Sequence, residues 1–222
     1  MIMKGIDNTP LIKLFLSSSF KDVAVLFKTF AGKNLKGKTV TFIPTGSLAE
    51  NERFYVREAR MAFEELGLVV DELELTQASE QEIADKLKSN NYIYISGGNT
   101  FFLLQELKRT GADKILIEQI RNGKPYIGES AGSMIMSPNV EYVALMDDKT
   151  KAPSLKSPDA LHMVDFYPVP HYTNYPFKKT VEKIVTAYGL DLDLRPITNH
   201  QAILVNGGDI AIVTNSTEKD DQ

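Results

Sequence analysis

Gly128-Glu129-Ser130-Ala131-Gly132 sets a serine between glycines two residues to either side, the G-x-S-x-G spacing of a nucleophile elbow. A serine hydroxyl attacks a carbonyl efficiently when a sharp strand-to-helix turn holds it out from the chain. Such a turn leaves no room for side chains at its flanks. Tyr126-Ile127 before it reads as a short strand and the apolar stretch from Ala131 as a helix. The helix N-terminus then aims free N–H groups at the place where an oxyanion develops. The plain alternative is a glycine-rich packing turn. A second pair of glycines lies in Ser96-Gly97-Gly98-Asn99-Thr100, after a strand ending at Ile95. With Asn99 or Thr100 capping the next helix, its backbone N–H groups suit an anion, either a phosphate or the oxyanion of acyl transfer. The neighbouring elbow favours the second.

A serine nucleophile needs a base, and the chain has three histidines. His162, in the strand-like Leu161-His162-Met163-Val164, reads as structural. His171 follows the stiff extended stretch Phe166-Tyr167-Pro168-Val169-Pro170, which delivers its imidazole to a loop, and it is the first candidate. His200 sits beside Asn199 at the turn before a closing hairpin. No metal-ligand spacing links the histidines and HExxH is absent, so no zinc mechanism is expected. The chain has no cysteine, which excludes a thiol nucleophile and a disulfide framework.

The elements that must carry these residues alternate. Strands are predicted at 11–16, 39–43, 69–75, 92–95 and 126–127, and helices at 20–31, 51–66, 79–87, 101–109 and 112–121. Ser17-Ser18-Ser19 supplies N-cap candidates for the first helix. The remainder is less regular, with strands expected near Tyr142 and Val164, a helix over 177–188, and a hairpin in which 202–205 and 210–213 flank Asn206-Gly207-Gly208-Asp209. This alternation predicts an α/β fold with a mostly parallel sheet, whose ligands lie beyond the carboxyl ends of the strands. The important turns are therefore those after Ile43, Ile95 and Ile127.

The 222 residues are 43% hydrophobic and 24% charged, with a net charge of −4. That is the composition of a soluble globular chain, read here as a single domain over 1–222 with a frayed polar tail at 216–222. No cationic field exists to collect nucleic acid or anionic lipid, and no apolar run is long enough to span a membrane. The first eight residues lack the pattern of a signal peptide, so a cytoplasmic protein is expected.

Gly97-Gly98-Asn99-Thr100-Phe101, then residues 126–132, then Pro170-His171-Tyr172-Thr173-Asn174 together resemble the peptidase E branch of the peptidase E/cyanophycinase family, over about residues 12–213. The resemblance implies a serine peptidase on a three-layer α/β fold, with helices on both faces of the sheet, akin to class I glutamine amidotransferases (flavodoxin-like). It makes Ser130 the nucleophile, His171 its general base, and the N–H groups of Gly98 and Ala131 the oxyanion hole, with no cofactor. A short peptide is the implied partner and the chain is expected to be a monomer or a homodimer.

Two positions depart from that pattern. The family's aspartyl dipeptidases orient the histidine with a glutamate, where Ile197-Thr198-Asn199-His200 offers Asn199. An amide oxygen fixes the imidazole tautomer without supplying a charge, so either turnover is slow or a carboxylate comes from Glu141, Asp147 or Asp148. Peptidase E also selects aspartate with an arginine after the histidine, where this chain has Lys178, Lys179 and Lys183. A lysine is a point charge rather than a bidentate fork, so strict aspartate selection is not expected. Glu129 beside the serine, with Asn99 and Thr100, is a candidate substrate contact, its carboxylate attracting an α-ammonium group or repelling an acidic side chain. Two further readings stand beside the peptidase: a weakened or inactive relative that binds small peptides or amino acids, and a phosphate- or nucleotide-binding flavodoxin-like protein. The second lacks both a P-loop and G-x-G-x-x-G.

Overall fold

A computed structural model of the chain describes residues 12–32 and 34–216. Leu11, the first residue of the first expected strand, the segment scanned for a signal peptide and residues 217–222 of the expected tail lie outside the described residues.

The main sheet has seven strands in the order β3-β2-β4-β5-β1-β8-β9. Five of them are parallel: β1 (Lys13–Ser17), β2 (Thr39–Ile43), β3 (Val69–Glu72), β4 (Tyr92–Ile95) and the central β5 (Tyr126–Glu129). The hairpin of β8 (Gln201–Asn206) and β9 (Asp209–Thr214) closes one edge antiparallel to β1.

Strand residues alternate between two cores because successive side chains point to opposite faces. Phe15, Phe42, Tyr92, Tyr94 and Ile127 pack with α1 (Phe20–Ala31) and α2 (Phe54–Glu65). Leu14, Leu16, Ile43, Ile93, Ile95 and Tyr126 pack with residues of α3 (Glu80–Ser89), α4 (Thr100–Thr110), α5 (Ala112–Arg121) and the short α6 (Ala131–Met134). Helices on both faces of a mostly parallel sheet make three layers. No helix among the described residues is long and apolar enough to cross a membrane.

The second half corrects the expectations. Residues 141–143 form a 3-10 turn rather than a strand; the Tyr142 ring is buried in the core and its hydroxyl donates to the Pro168 carbonyl at 2.5 Å. The stretch around Val164 is irregular, its Met163 and Val164 N–H groups reaching the Met136 carbonyl at 2.8 and 3.2 Å. The strand begins later, as β6 (Tyr167–Val169), and pairs in parallel with an unexpected β7 (Leu194–Pro196) in a separate two-stranded sheet. α7 (Lys178–Tyr188) joins them. Three-residue strands, each containing a proline, carry no readable period.

Candidate active site

Parallel strands end together, so the turns after β1, β4 and β5 share one rim of the sheet. At the end of β5, Ser130 has φ 47° and ψ −108°, a left-handed conformation that a non-glycine residue holds only under constraint. The constraint is visible. Ser130 N–H donates to the Ser17 carbonyl at 2.9 Å, and its own carbonyl accepts from Ser133 and Met134 N–H to start α6. A Cβ on Gly128 would sit 2.6 Å from the Gly132 carbonyl oxygen, and one on Gly132 would sit 2.2 Å from that of Ile95. The glycine spacing thus answers to backbone packed against backbone.

β6 and β7 set the imidazole. His171 follows β6 by two residues and Asn199 follows β7 by three, and parallel pairing brings both out at the same end. Asn199 Oδ1 lies 2.9 Å from His171 Nδ1. That oxygen requires a proton on Nδ1 and leaves Nε2 bare, 3.0 Å from Ser130 Oγ. Asn199 is fixed in turn by its N–H, which donates to Asn174 Oδ1 at 2.9 Å. Phe177 stacks on the His171 ring with centroids 4.7 Å apart. Burial pushes the His171 pKa below its usual 6.5, opposed by the Asn199 hydrogen bond and the Asp22 charge.

Gly97 packs against Ser130: a Cβ there would lie 3.3 Å from the serine Cβ and 3.4 Å from the Tyr55 ring. Gly98 has φ 128°, and a Cβ on it would meet the Gly46 carbonyl carbon at 2.2 Å. Among the described residues the N–H groups of Gly98 and Ala131 are engaged by no other protein group. Both adjoin the serine, one through the Gly97 turn and one as the first residue of α6.

Several sequence expectations fall here. Glu129 is not a substrate contact: it is 3% exposed, accepts Phe20 N–H at 2.9 Å and the Tyr94 hydroxyl, and burial raises its pKa to about 7. Asn99 caps α4, accepting from Phe102 N–H at 3.0 Å and donating to the Asp148 carbonyl at 3.1 Å. Thr100 is buried, its N–H donating to Asp147 Oδ2 at 2.8 Å. Alternation explains Glu129, whose side chain follows its strand's period into the aromatic core rather than toward the rim. Asp147, its pKa raised to about 6 by burial, already supplies the anion at the α4 N-terminus, which removes the phosphate cradle. None of the three candidate carboxylates serves His171. Asp147 is taken by Thr100, Asp148 holds Thr150 and Glu141 pairs with Lys149. His162 is exposed against Asp165, and the His200 carbonyl accepts from Asn215 N–H. The described residues contain no cluster of His, Asp and Glu able to hold a metal.

A serine, an imidazole and two N–H groups gathered at one rim of a three-layer α/β fold suit a hydrolase, and comparison with known proteins gives the class. Residues 14–213 match the sequence profile of Peptidase family S51. An uncharacterized peptidase of Pasteurella multocida is 57% identical over 194 residues, covering 87% of this chain and 93% of its own. Peptidase E of Nostoc sp. is 30% identical over 149 residues, covering 66% of this chain and 57% of its own. A crystal structure from Listeria monocytogenes, provisionally titled as a peptidase E protein, superposes with a TM-score of 0.89 at 53% identity, covering 92% of this chain and 99% of that one. The chain belongs to Peptidase family S51: it is a peptidase, on the class I glutamine amidotransferase-like (flavodoxin-like) fold.

Proposed function

We propose that this protein is a serine peptidase that hydrolyses short peptides, acting as a dipeptidase or exopeptidase, with Ser130 as nucleophile, His171 as general base and Asn199 as its orienter. The observation that carries the reading is the chain of contacts Asn199 Oδ1–His171 Nδ1 at 2.9 Å and His171 Nε2–Ser130 Oγ at 3.0 Å. The serine oxygen attacks the scissile carbonyl carbon while Nε2 takes its proton. The oxyanion is met by the N–H groups of Gly98 and Ala131. Nε2 then protonates the leaving amine, and water resolves the acyl-enzyme by the same steps. Strict selection of an N-terminal aspartate is not part of the proposal, since Lys178, Lys179 and Lys183 are exposed along α7. A cytoplasmic location fits such a substrate.

Ser130→Ala is expected to lower hydrolysis of a mixed peptide panel, read by mass spectrometry, by at least about 10⁴-fold with the fold retained. An unchanged rate in that variant overturns the reading. The neutral Asn199 favours one competing reading, a weakened relative that binds peptides without turnover. It predicts peptide binding by the wild type with neither hydrolysis nor labelling of Ser130 by a fluorophosphonate.

A further inference from the structure

Of the three serines that end β1 and lead into α1, only the last stands at the N-cap that the sequence suggests. Ser19, the N-cap of α1, makes no side-chain capping bond. Ser17 gives its carbonyl to Ser130 N–H at 2.9 Å and to the Ser133 hydroxyl at 2.8 Å. Ser18, 1% exposed, accepts His171 N–H at 3.0 Å and donates to the Ile197 carbonyl at 3.1 Å. That same carbonyl accepts Tyr172 N–H at 3.0 Å, two residues before Asn199.

We infer that Ser18 is a positioning residue for the imidazole, its hydroxyl joining the His171 loop to the Asn199 loop and both to the strand that holds Ser130. The inference rests on the Ser130–His171 reading. His171 has φ 64°, a backbone conformation that a residue with a Cβ holds only when its surroundings fix it. The Ser18 hydroxyl bonds to the N–H of that strained residue. It is not a catalytic residue, because it touches His171 through the backbone and not the reacting atoms. Without it the loop can relax, the Nε2–Oγ contact lengthens, and the ring gains access to water. A displacement of about 1 Å at a reacting group costs roughly 10²-fold.

The test compares wild type, Ser18→Ala and Ser130→Ala on a peptide the wild type cleaves. Ser18→Ala is expected to lower kcat by about 10- to 100-fold with KM within about two-fold. Its kcat/KM acid limb should move to higher pH, because a better hydrated His171 holds its proton more readily. Wild-type kcat and acid limb in a folded Ser18→Ala overturn the inference, as does a kcat loss matched by loss of folded protein with the limb unmoved. If Ser18→Ala does not fold, Ser18→Cys is read by the same two criteria. The Nδ1–H resonance of His171 is followed by NMR in the same proteins. A shifted or exchange-broadened signal in the Ser18 variant supports positioning even on a chain without activity, and an unchanged one counts against it. A wild type that neither hydrolyses nor labels sinks the Ser130–His171 reading instead, so the two failures are told apart.

Discussion

Asn199 offers His171 an oxygen but no charge. At 2.9 Å it selects the Nδ1–H tautomer as a carboxylate would, yet on the proposed mechanism the imidazolium formed when Nε2 takes the serine proton would receive only a dipole's help. In the resting site, burial keeps the ring neutral below its usual pKa of 6.5. Protonation removes the base, so kcat/KM should rise with pH through the His171 pKa, and its acid limb should lie below 6.5. Asn199→Asp keeps the shape and adds the charge. A carboxylate at hydrogen-bond distance raises a histidine pKa, so the acid limb should move up by about one unit or more. Above it kcat should increase about ten-fold or more, because the charge also stabilises the imidazolium in the transition state. Steady-state pH profiles of the two proteins check both effects. A limb that stays put with kcat no higher would show that Asn199 is not the partner that limits the base.

At the level of elements, the site depends on how closely α6 can approach β4. Gly132 lies in the first turn of α6, where an added Cβ would meet the Ile95 carbonyl at 2.2 Å, and backbone on that strand cannot yield as a flexible side chain could. Gly132→Ala should therefore cost about 3 kcal/mol or more, by the strain of overpacking a backbone contact. It should lower Tm and displace the elbow together, measurable by thermal melting and fluorophosphonate labelling; an unshifted Tm would contradict the close approach. This elbow was legible in the sequence because its requirement is local, glycine at fixed spacing around a serine. His171 was legible because prolines stiffen its approach. Ser19 stands at the N-cap that the serine run offers, but the part played by Ser18 was not legible, since helix capping is a local motif whereas the bond from Ser18 to His171 spans 153 positions. Glu129 was misassigned for the same kind of reason. Beside the serine in sequence, it lies on the opposite side of the strand's period, where Phe20 N–H and the Tyr94 hydroxyl hold it.

Across the whole molecule, the first 130 residues announce their architecture through alternation. The rest is held by contacts such as Tyr142 to Pro168 and β6 to β7, which no periodicity records. What joins the parts is the sheet, and Glu129 is an ionisable group buried where β5 meets β4 and the start of α1. On the face where Phe20 stacks on Phe63 at 4.0 Å, its carboxyl ties β5 to the start of α1 and to Tyr94 of β4. Burial raises its pKa from 4.5 to about 7. Between those values the folded chain binds more protons than the unfolded chain, so this group's contribution to stability falls as pH rises through that window, by about 3 kcal/mol in all. Glu129→Gln removes the titration and keeps an acceptor for Phe20 N–H, while its amide N–H turns the Tyr94 contact round and donates to the tyrosine oxygen. Asp147 and His171 titrate in both proteins and cancel in the difference. The Tm of Glu129→Gln relative to wild type should therefore climb by about 5 °C or more between pH 5 and pH 8. A difference that stays flat across that range would mean that the buried carboxyl does not gain its charge there.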